Sequence, residues 1–431
     1  MKQNNKIFIA ASLANGASFS MILPLLAPLV RKLQLSELQA GAMVSIGALL
    51  MACAAIYISK NQTKFSIYQL LSIGFIGMAV TWGLFSGVLM YGLTAQISVM
   101  LLFTLLMLAR ASTGVFMAMP QIALQTHVMT SYEEEQLRSK TMSKFGALNS
   151  VGVVFGPFLT TLLLAWGIMT PLWAAIAILS IISVVIVVLF DQQKPKDASS
   201  ENSISLESST LAQQEHAQHK KSTDTDEIQQ DGQNFSLKRS MAWLVLGFSL
   251  YLAIVTVNLT AGFYIQDHFK TSVLQGATYF SQCSLLVGIS LVVMQVLISK
   301  KLKWSVYTLL WVGLVAMSIA LWISVSTEHL RVFQLAYVLY GVSVACLIPA
   351  FTTGAAQIAP KHQQAKVASW CTATQALSFV IGPILSTGLY QWHTSYPYYF
   401  LMLTMFALMV FFAFKQISPE KKLNWPVKLT S

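Results

Sequence analysis

One cation stands where a cation is costly. Arg110 lies inside the apolar run 95–120, and it is the only Lys or Arg well inside any long apolar run of the chain. No Asp or Glu lies in the middle of such a run. A charge at that depth in hydrocarbon costs about 2.5–3.5 kcal/mol on insertion scales, so it must face a protein interior or a wet cavity. On a helix, Gly114, Met117, Gln121 and Gln125 share the face of Arg110, at steps of four, three, four and four. A guanidinium without a neighbouring acid grips carboxylates through its planar fork. The chemistry expected here is recognition of an anionic or zwitterionic organic molecule. The alternative is a structural Arg bonded to carbonyls of a neighbouring helix.

Other candidate groups are fewer. The first apolar run offers only Asn15, Ser18 and Ser20. Tyr264, Tyr279, Trp311, Tyr337, Tyr340 and Trp370 supply aromatic faces for a flat ligand, although such residues also form lipid-facing belts. A coupling proton has Glu37 and Asp267 at run ends, His127, or the substrate itself as candidate carriers. Cys53, Cys283, Cys346 and Cys371 lie in apolar stretches without C-x-x-C spacing and read as small hydrophobes. No metal site or cofactor is expected. The apolar runs hold no carboxylate pair and no nucleophile–base set, and the chain has no G-x-x-x-x-G-K-[ST]. An enzyme and a direct ATP-driven pump are therefore disfavoured.

Composition says what must hold these residues. Of 431 residues, 55% are hydrophobic and only 10% charged, and the mean hydropathy is +0.63. A soluble surface needs roughly a quarter charged residues; this is an integral membrane protein. A bilayer core about 30 Å thick takes about 20 apolar residues per helix. Apolar runs fall near 7–30, 38–58, 66–90, 95–120, 142–165 and 171–190, then near 241–265, 274–299, 305–325, 332–356, 367–390 and 397–414. Lys2 and Lys6 before the first run resemble a signal peptide, but the run continues to Val30, too far for one. The net charge of +11 gathers in short clusters between the runs, so nucleic acid is not the partner. With the N-terminus cytoplasmic, 22 Lys and Arg fall on one side and only Arg31, Lys32, Lys270 and Arg331 on the other. That bias predicts twelve helices with both termini cytoplasmic. Residues 191–239 are polar, with Phe235 as sole aromatic, and read as a flexible cytoplasmic linker between bundles 1–190 and 240–431.

The halves are copies. LSELQAGA (35–42) is echoed by TSVLQGAT (271–278), and ISKNQTKFSIYQLL (58–71) by ISKKLKWSVYTLL (298–310). NSVGVVFGPFLTTLL (149–163) aligns without a gap on QALSFVIGPILSTGL (375–389), which puts Gly156-Pro157 on Gly382-Pro383. Asn149 and Gln375 become equivalent, so they are expected to face one cavity across a pseudo-twofold axis. Gly152, Gly156 and Thr160 repeat every four residues, as do Ser378, Gly382 and Ser386, which permits close helix approach. The prolines that follow favour a kink.

Two six-helix copies joined by a cytoplasmic linker resemble the major facilitator superfamily, over essentially the whole chain. Arg110-Ala-Ser-Thr-Gly114 is similar to its Arg-x-x-x-Gly motif, and Gly152-Val-Val-Phe-Gly156-Pro157 to the antiporter motif of its drug and metabolite exporters, with Thr160-Thr161 replacing the usual glycine pair. The family's loop pattern Asp-Arg-x-Gly-Arg-Lys is answered by Ser59-Lys60-Asn61-Gln62-Thr63-Lys64, where the acid is missing. The resemblance implies an all-α polytopic fold of two pseudo-symmetric six-helix bundles that rock about a midplane site. It assigns Arg110 to substrate binding or coupling; Asn15, Gln121, Asn149, Gln375, Tyr264, Tyr337 and Tyr340 are further candidates from the residue patterns above. It places Gly114, Gly152, Gly156, Pro157, Gly382 and Pro383 at moving contacts, and Lys60, Lys64 and Arg138 at a cytoplasmic gate. The expected function is efflux of a small organic compound by a monomeric inner-membrane protein, driven by an ion gradient, most simply H+. Uptake of an anionic metabolite is the alternative, or a transporter-derived sensor or assembly factor that uses 191–239.

Overall fold

Twelve helices follow one another in the computed structural model, which describes residues 2–61, 64–95, 97–131, 148, 151–190, 237–302, 304–358 and 364–417. The first half comprises α1 (Lys2–Lys32), α2 (Glu37–Lys60), α3 (Ile67–Thr94), α4 (Val99–Ser131), α5 (Val151–Trp166) and α6 (Thr170–Leu189). The second comprises α7 (Leu237–His268), α8 (Val273–Lys300), α9 (Val306–Ser326), α10 (Leu330–Gln357), α11 (Gln364–Trp392) and α12 (Tyr396–Ile417). Eleven are long and apolar enough to cross a membrane; the described part of α5 is shorter. No strand occurs among the described residues. The helix α7 begins at Leu237, slightly inside the interval read as linker. Residues 191–236, Asn149 and Arg138 lie outside the described residues.

Helix starts account for the polar part of the repeat. Ser36 and Ser272 cap α2 and α8, each accepting from the backbone N–H of the Gln three residues on, Gln39 or Gln275. Those glutamine side chains accept in return from the cap N–H, at 2.8 and 3.1 Å. Ser66 and Gln69 repeat the arrangement at α3, and Ser305 caps α9 by accepting from the Thr308 N–H. Such reciprocal caps satisfy donors that a helix start would otherwise orphan. Two residues before Ser36 and Ser272 stand Gln34 and Lys270, at φ 57° and 51°. They are the non-glycine residues in the left-handed region among those described, so the two tight turns are copies in backbone as well as in sequence.

Packing repeats too. The helix α4 lies against α2 and α3, and α6 against α1 and α3; α10 lies against α8 and α9, and α12 against α7 and α9. Across the halves α2 packs on α11, and α1 on α7 and α8. The reciprocal contact is α5 on α8, where the hydroxyls of Thr161 and Ser281 lie 2.7 Å apart.

The repeated small-residue edges differ in tightness. A Cβ added to Gly152 would fall on the Leu13 carbonyl, and one on Gly156 would fall on Ser20 Oγ and the Ala17 carbonyl. Thr160 Oγ1 donates to the Met21 carbonyl at 3.0 Å, completing a backbone-to-backbone seam between α5 and α1. On α11, Ser378 donates to the Phe248 carbonyl at 3.1 Å, but Gly382 meets only side chains, Leu252 and Val255 of α7.

Candidate functional site

Arg110 projects from α4 into the interior of the first half. Its neighbour one turn on, Gly114, has no room for a Cβ because the Gly47 carbonyl of α2 occupies that place. The close approach carries Gly47 beneath the Arg110 stem. The guanidinium carbon lies 4.9 Å from the centroid of the Trp82 ring of α3. Nη1 is enclosed and has no hydrogen-bond partner, and no acid pairs with Arg110 among the described residues. A cation–π contact in a desolvated site contributes about 2 kcal/mol, less than the insertion cost of the charge. The fork is left under-satisfied, in the arrangement that favours an incoming anion.

Beside it lies a cavity of about 20 Å³ lined by Phe19, Ile22, Leu26, Met43, Val44, Trp82, Phe85 and Arg110. That volume suits roughly one water molecule. An organic ligand enters only if the surrounding helices part. Arg110 thus reaches the interior of the first half, and among the described residues no carbonyl bonds its Nη1.

The other predicted residues fall into separate places. Asn15 is partly buried on α1 and makes an interaction of its own. Gln121 is exposed on α4, away from the Arg110 cavity, and Gln375 is partly buried on α11. Tyr264, Tyr337 and Tyr340 are buried inside the second half. Tyr337 stacks edge-on to Tyr340 at 5.2 Å, Tyr340 shares a 3.0 Å hydrogen bond with Ser324, and Tyr264 packs on Tyr398 at 4.9 Å. The structure brings these three together, but it does not bring them to Arg110. Lys60 and Lys64 are exposed and have no ion-pair partner among the described residues, in keeping with the acid missing from that loop.

A second polar cluster joins the halves. Arg31, near the end of α1, donates from Nη1 and Nη2 to the two carboxylate oxygens of Asp267 on α7, at 2.6 and 2.5 Å. Nη2 also reaches Glu37 on α2 at 3.3 Å, and Tyr390 of α11 donates to Asp267 at 2.5 Å. These are the ion pairs among the described residues, and both involve Arg31. In the sequence Arg31 falls on the basic-poor side and Asp267 at a helix end, with nothing that joins them directly. The available signal is their equivalence, since each stands three residues before the left-handed residue in the turn that follows the first helix of its half. Tyr390, Trp82 and Phe19 carry no signal beyond being aromatic.

The Thr161–Ser281 contact and the abutment of Ala27 on Gly262 lie towards this same end of the bundle, where α1 runs out and α2 begins. Gly41 of α2 also has no room for a Cβ against Thr387 and Pro383 of α11. The halves are thus fastened at this far face.

The profile of the Major Facilitator Superfamily matches residues 8–370 and 303–430. The chain belongs to the major facilitator superfamily. A POT family transporter in complex with a thioalcohol-conjugated peptide superposes with a TM-score of 0.68 at 14% identity, covering 96% of both chains. The nucleoside transporter NupG gives 0.65 at 12%, covering 96% of this chain and 99% of its own. A bacterial homologue of the human lysosomal transporter Spinster, inward-facing and occupied, gives 0.64 at 13%, covering 95% and 94%. No curated protein sequence is a significant match. At these identities the structures establish a shared fold. As a superfamily member the protein is a multi-pass membrane transporter of small molecules and not an enzyme.

Proposed function

We propose that the protein exports a small anionic or zwitterionic organic compound by alternating access, driven by the proton gradient across the cell's inner membrane. The observation that carries this reading is Arg110, a half-buried cation packed on the Trp82 ring, whose enclosed Nη1 has no hydrogen-bond partner and which no acid pairs among the described residues. A net positive site raises the local concentration of anions and disfavours lipophilic cations. Export rests on the Gly152–Gly156–Pro157 motif at the seam between α5 and α1. The basic side of the sequence is cytoplasmic in this reading, so the fastened far face is the outer one, and the bundles 1–190 and 240–431 act as the two rocking units of a monomer. The test compares a deletion strain with its parent for resistance and secreted metabolites, then reconstitutes the protein with each compound found. Accumulation inside the deletion strain, with acid-driven extrusion from vesicles, is the expected result. Depletion inside the strain would favour uptake of an anionic metabolite instead.

Within this reading the 191–239 segment is a tether. Replacing 198–232 by a Gly/Ser chain long enough to join α6 and α7 is expected to leave transport unchanged at matched membrane levels. Loss of activity in the replaced protein would favour a segment that binds a cytoplasmic partner and, with it, the sensor reading.

A further inference from the structure

Resting on the role proposed for Arg110, we infer that the first half carries a binding track for a monocarboxylate with an apolar tail. The carboxylate sits on Arg110, and the tail runs between α1, α2, α3 and α4 towards the far face. Two cavities mark the track. The one beside Arg110, of about 20 Å³, is followed by a second of about 10 Å³. Both are walled by Ile22, Leu26, Met43 and Phe85, so one begins where the other stops. Past that shared wall the second cavity continues along Leu89 and Leu106 to Leu33 and Leu35, at the turn between α1 and α2. Along α1 the two linings span Phe19 to Val30, about 16 Å at the rise of an α-helix.

The chemistry changes once along this path. Arg110 is the only charged side chain in either lining, and every residue around the second cavity is apolar. An anion at Arg110 meets an enclosed donor, Nη1, that has no partner. A polar group placed further along meets none, so an ammonium, a hydroxyl or a second carboxylate there would be buried without a hydrogen bond, which is strongly disfavoured. An apolar tail has the opposite balance. Small gaps forfeit the contacts that their wall atoms would otherwise make, and dry apolar cavities take up apolar guests. The substrate class thus narrows from anionic or zwitterionic compounds to anions with one charged head.

The gaps are far smaller than a tail, so the walls must yield. Met43 of α2 stands in both linings, and its unbranched thioether chain re-packs readily around a guest. The remaining width comes from the parting of the helices, which any ligand here requires.

Binding of radiolabelled octanoate to the full chain in phosphatidylcholine nanodiscs, with empty nanodiscs as the blank, tests the track without transport. Affinity is expected to rise about fourfold per methylene from butyrate to octanoate, the effect of burying a methylene expressed as a ratio. The zwitterion ω-aminooctanoate and the dicarboxylate suberate carry a second charge at the tail, and should compete at least about tenfold more weakly than octanoate. Leu89 of α3 lines the far cavity alone. Leu89→Phe is expected to shorten the best-bound chain and Leu89→Ala to lengthen it, whereas a general loss of packing would weaken all chain lengths together. Equal affinity for octanoate, butyrate and ω-aminooctanoate, or the same chain-length preference in both Leu89 variants, would overturn the track. Displacement of octanoate by phosphatidylglycerol built into the nanodiscs would overturn it in favour of an anionic lipid headgroup. Arg110→Gln keeps this inference apart from the reading beneath it. Butyrate binding lost in Arg110→Gln, with no chain-length preference in the parent, would leave the anion site standing and remove the tail track. Octanoate bound as well by Arg110→Gln as by the parent would overturn both.

Discussion

Arg110→Gln is expected to abolish most transport while leaving the protein as stable as before, or slightly more so. The direction of the stability effect is the informative part. The charge costs about 2.5–3.5 kcal/mol at depth, and the ring of Trp82 returns about 2 kcal/mol. Removing the cation therefore does not lower the thermal midpoint in detergent. Transport behaves oppositely, because a charged hydrogen bond to substrate is worth about 1.5–3 kcal/mol and each 1.36 kcal/mol is tenfold. A loss of about ten- to hundredfold is expected in vesicles loaded with the compound that strain profiling identifies. Arg110→Lys keeps the charge without the fork and should retain more activity than Gln. Near-normal transport by Arg110→Gln would end the functional reading. A lowered midpoint with normal turnover per folded molecule would assign Arg110 to packing.

Legibility in the sequence follows the physics of each feature. Helix number and the two-half plan are readable because a bilayer demands long apolar runs, and because the serine–glutamine caps at Ser36 and Ser272 punctuate them in register. Arg110 is readable because a lone charge in an apolar run is rare. Its surroundings are not, since nothing in the periodicity of α3 distinguishes Trp82, which meets the guanidinium, from Trp311 or Trp370. The tyrosines show the same limit. Tyr264, Tyr337 and Tyr340 stand out in the sequence as pocket candidates, and they do group, but in the packed interior of the second half. The Arg31–Asp267 pair joins positions 236 apart in the chain, which no local pattern encodes.

The two glycine–proline copies are expected to diverge under the same mutation. In the aligned sequence Gly156 and Gly382 are equivalent, and symmetry alone would assign them equal sensitivity. Their surroundings differ in kind. At Gly156 a side chain would meet Ser20 Oγ, the Ala17 carbonyl and the Met21 backbone nitrogen, so α1 itself would have to move. At Gly382 it would meet the branched ends of Leu252 and Val255, at 3.2 Å each, which can turn aside. Overpacking a tight contact costs about 1–3 kcal/mol, and a backbone neighbour places Gly156→Leu at the upper end. Gly156→Leu should insert into the membrane yet lose about ten- to hundredfold in turnover, taking tenfold per 1.36 kcal/mol. Gly382→Leu should lose less than about tenfold on the same scale. Gly382→Ala should be close to neutral, whereas Gly156→Ala should already impair transport, because Cβ alone makes the clash. Equal losses at the two positions, with membrane levels matched, would mean that the α7–α11 seam closes as tightly as the α1–α5 seam at some stage of the cycle. Normal transport by both leucine variants would show that neither seam has to stay close for the halves to move.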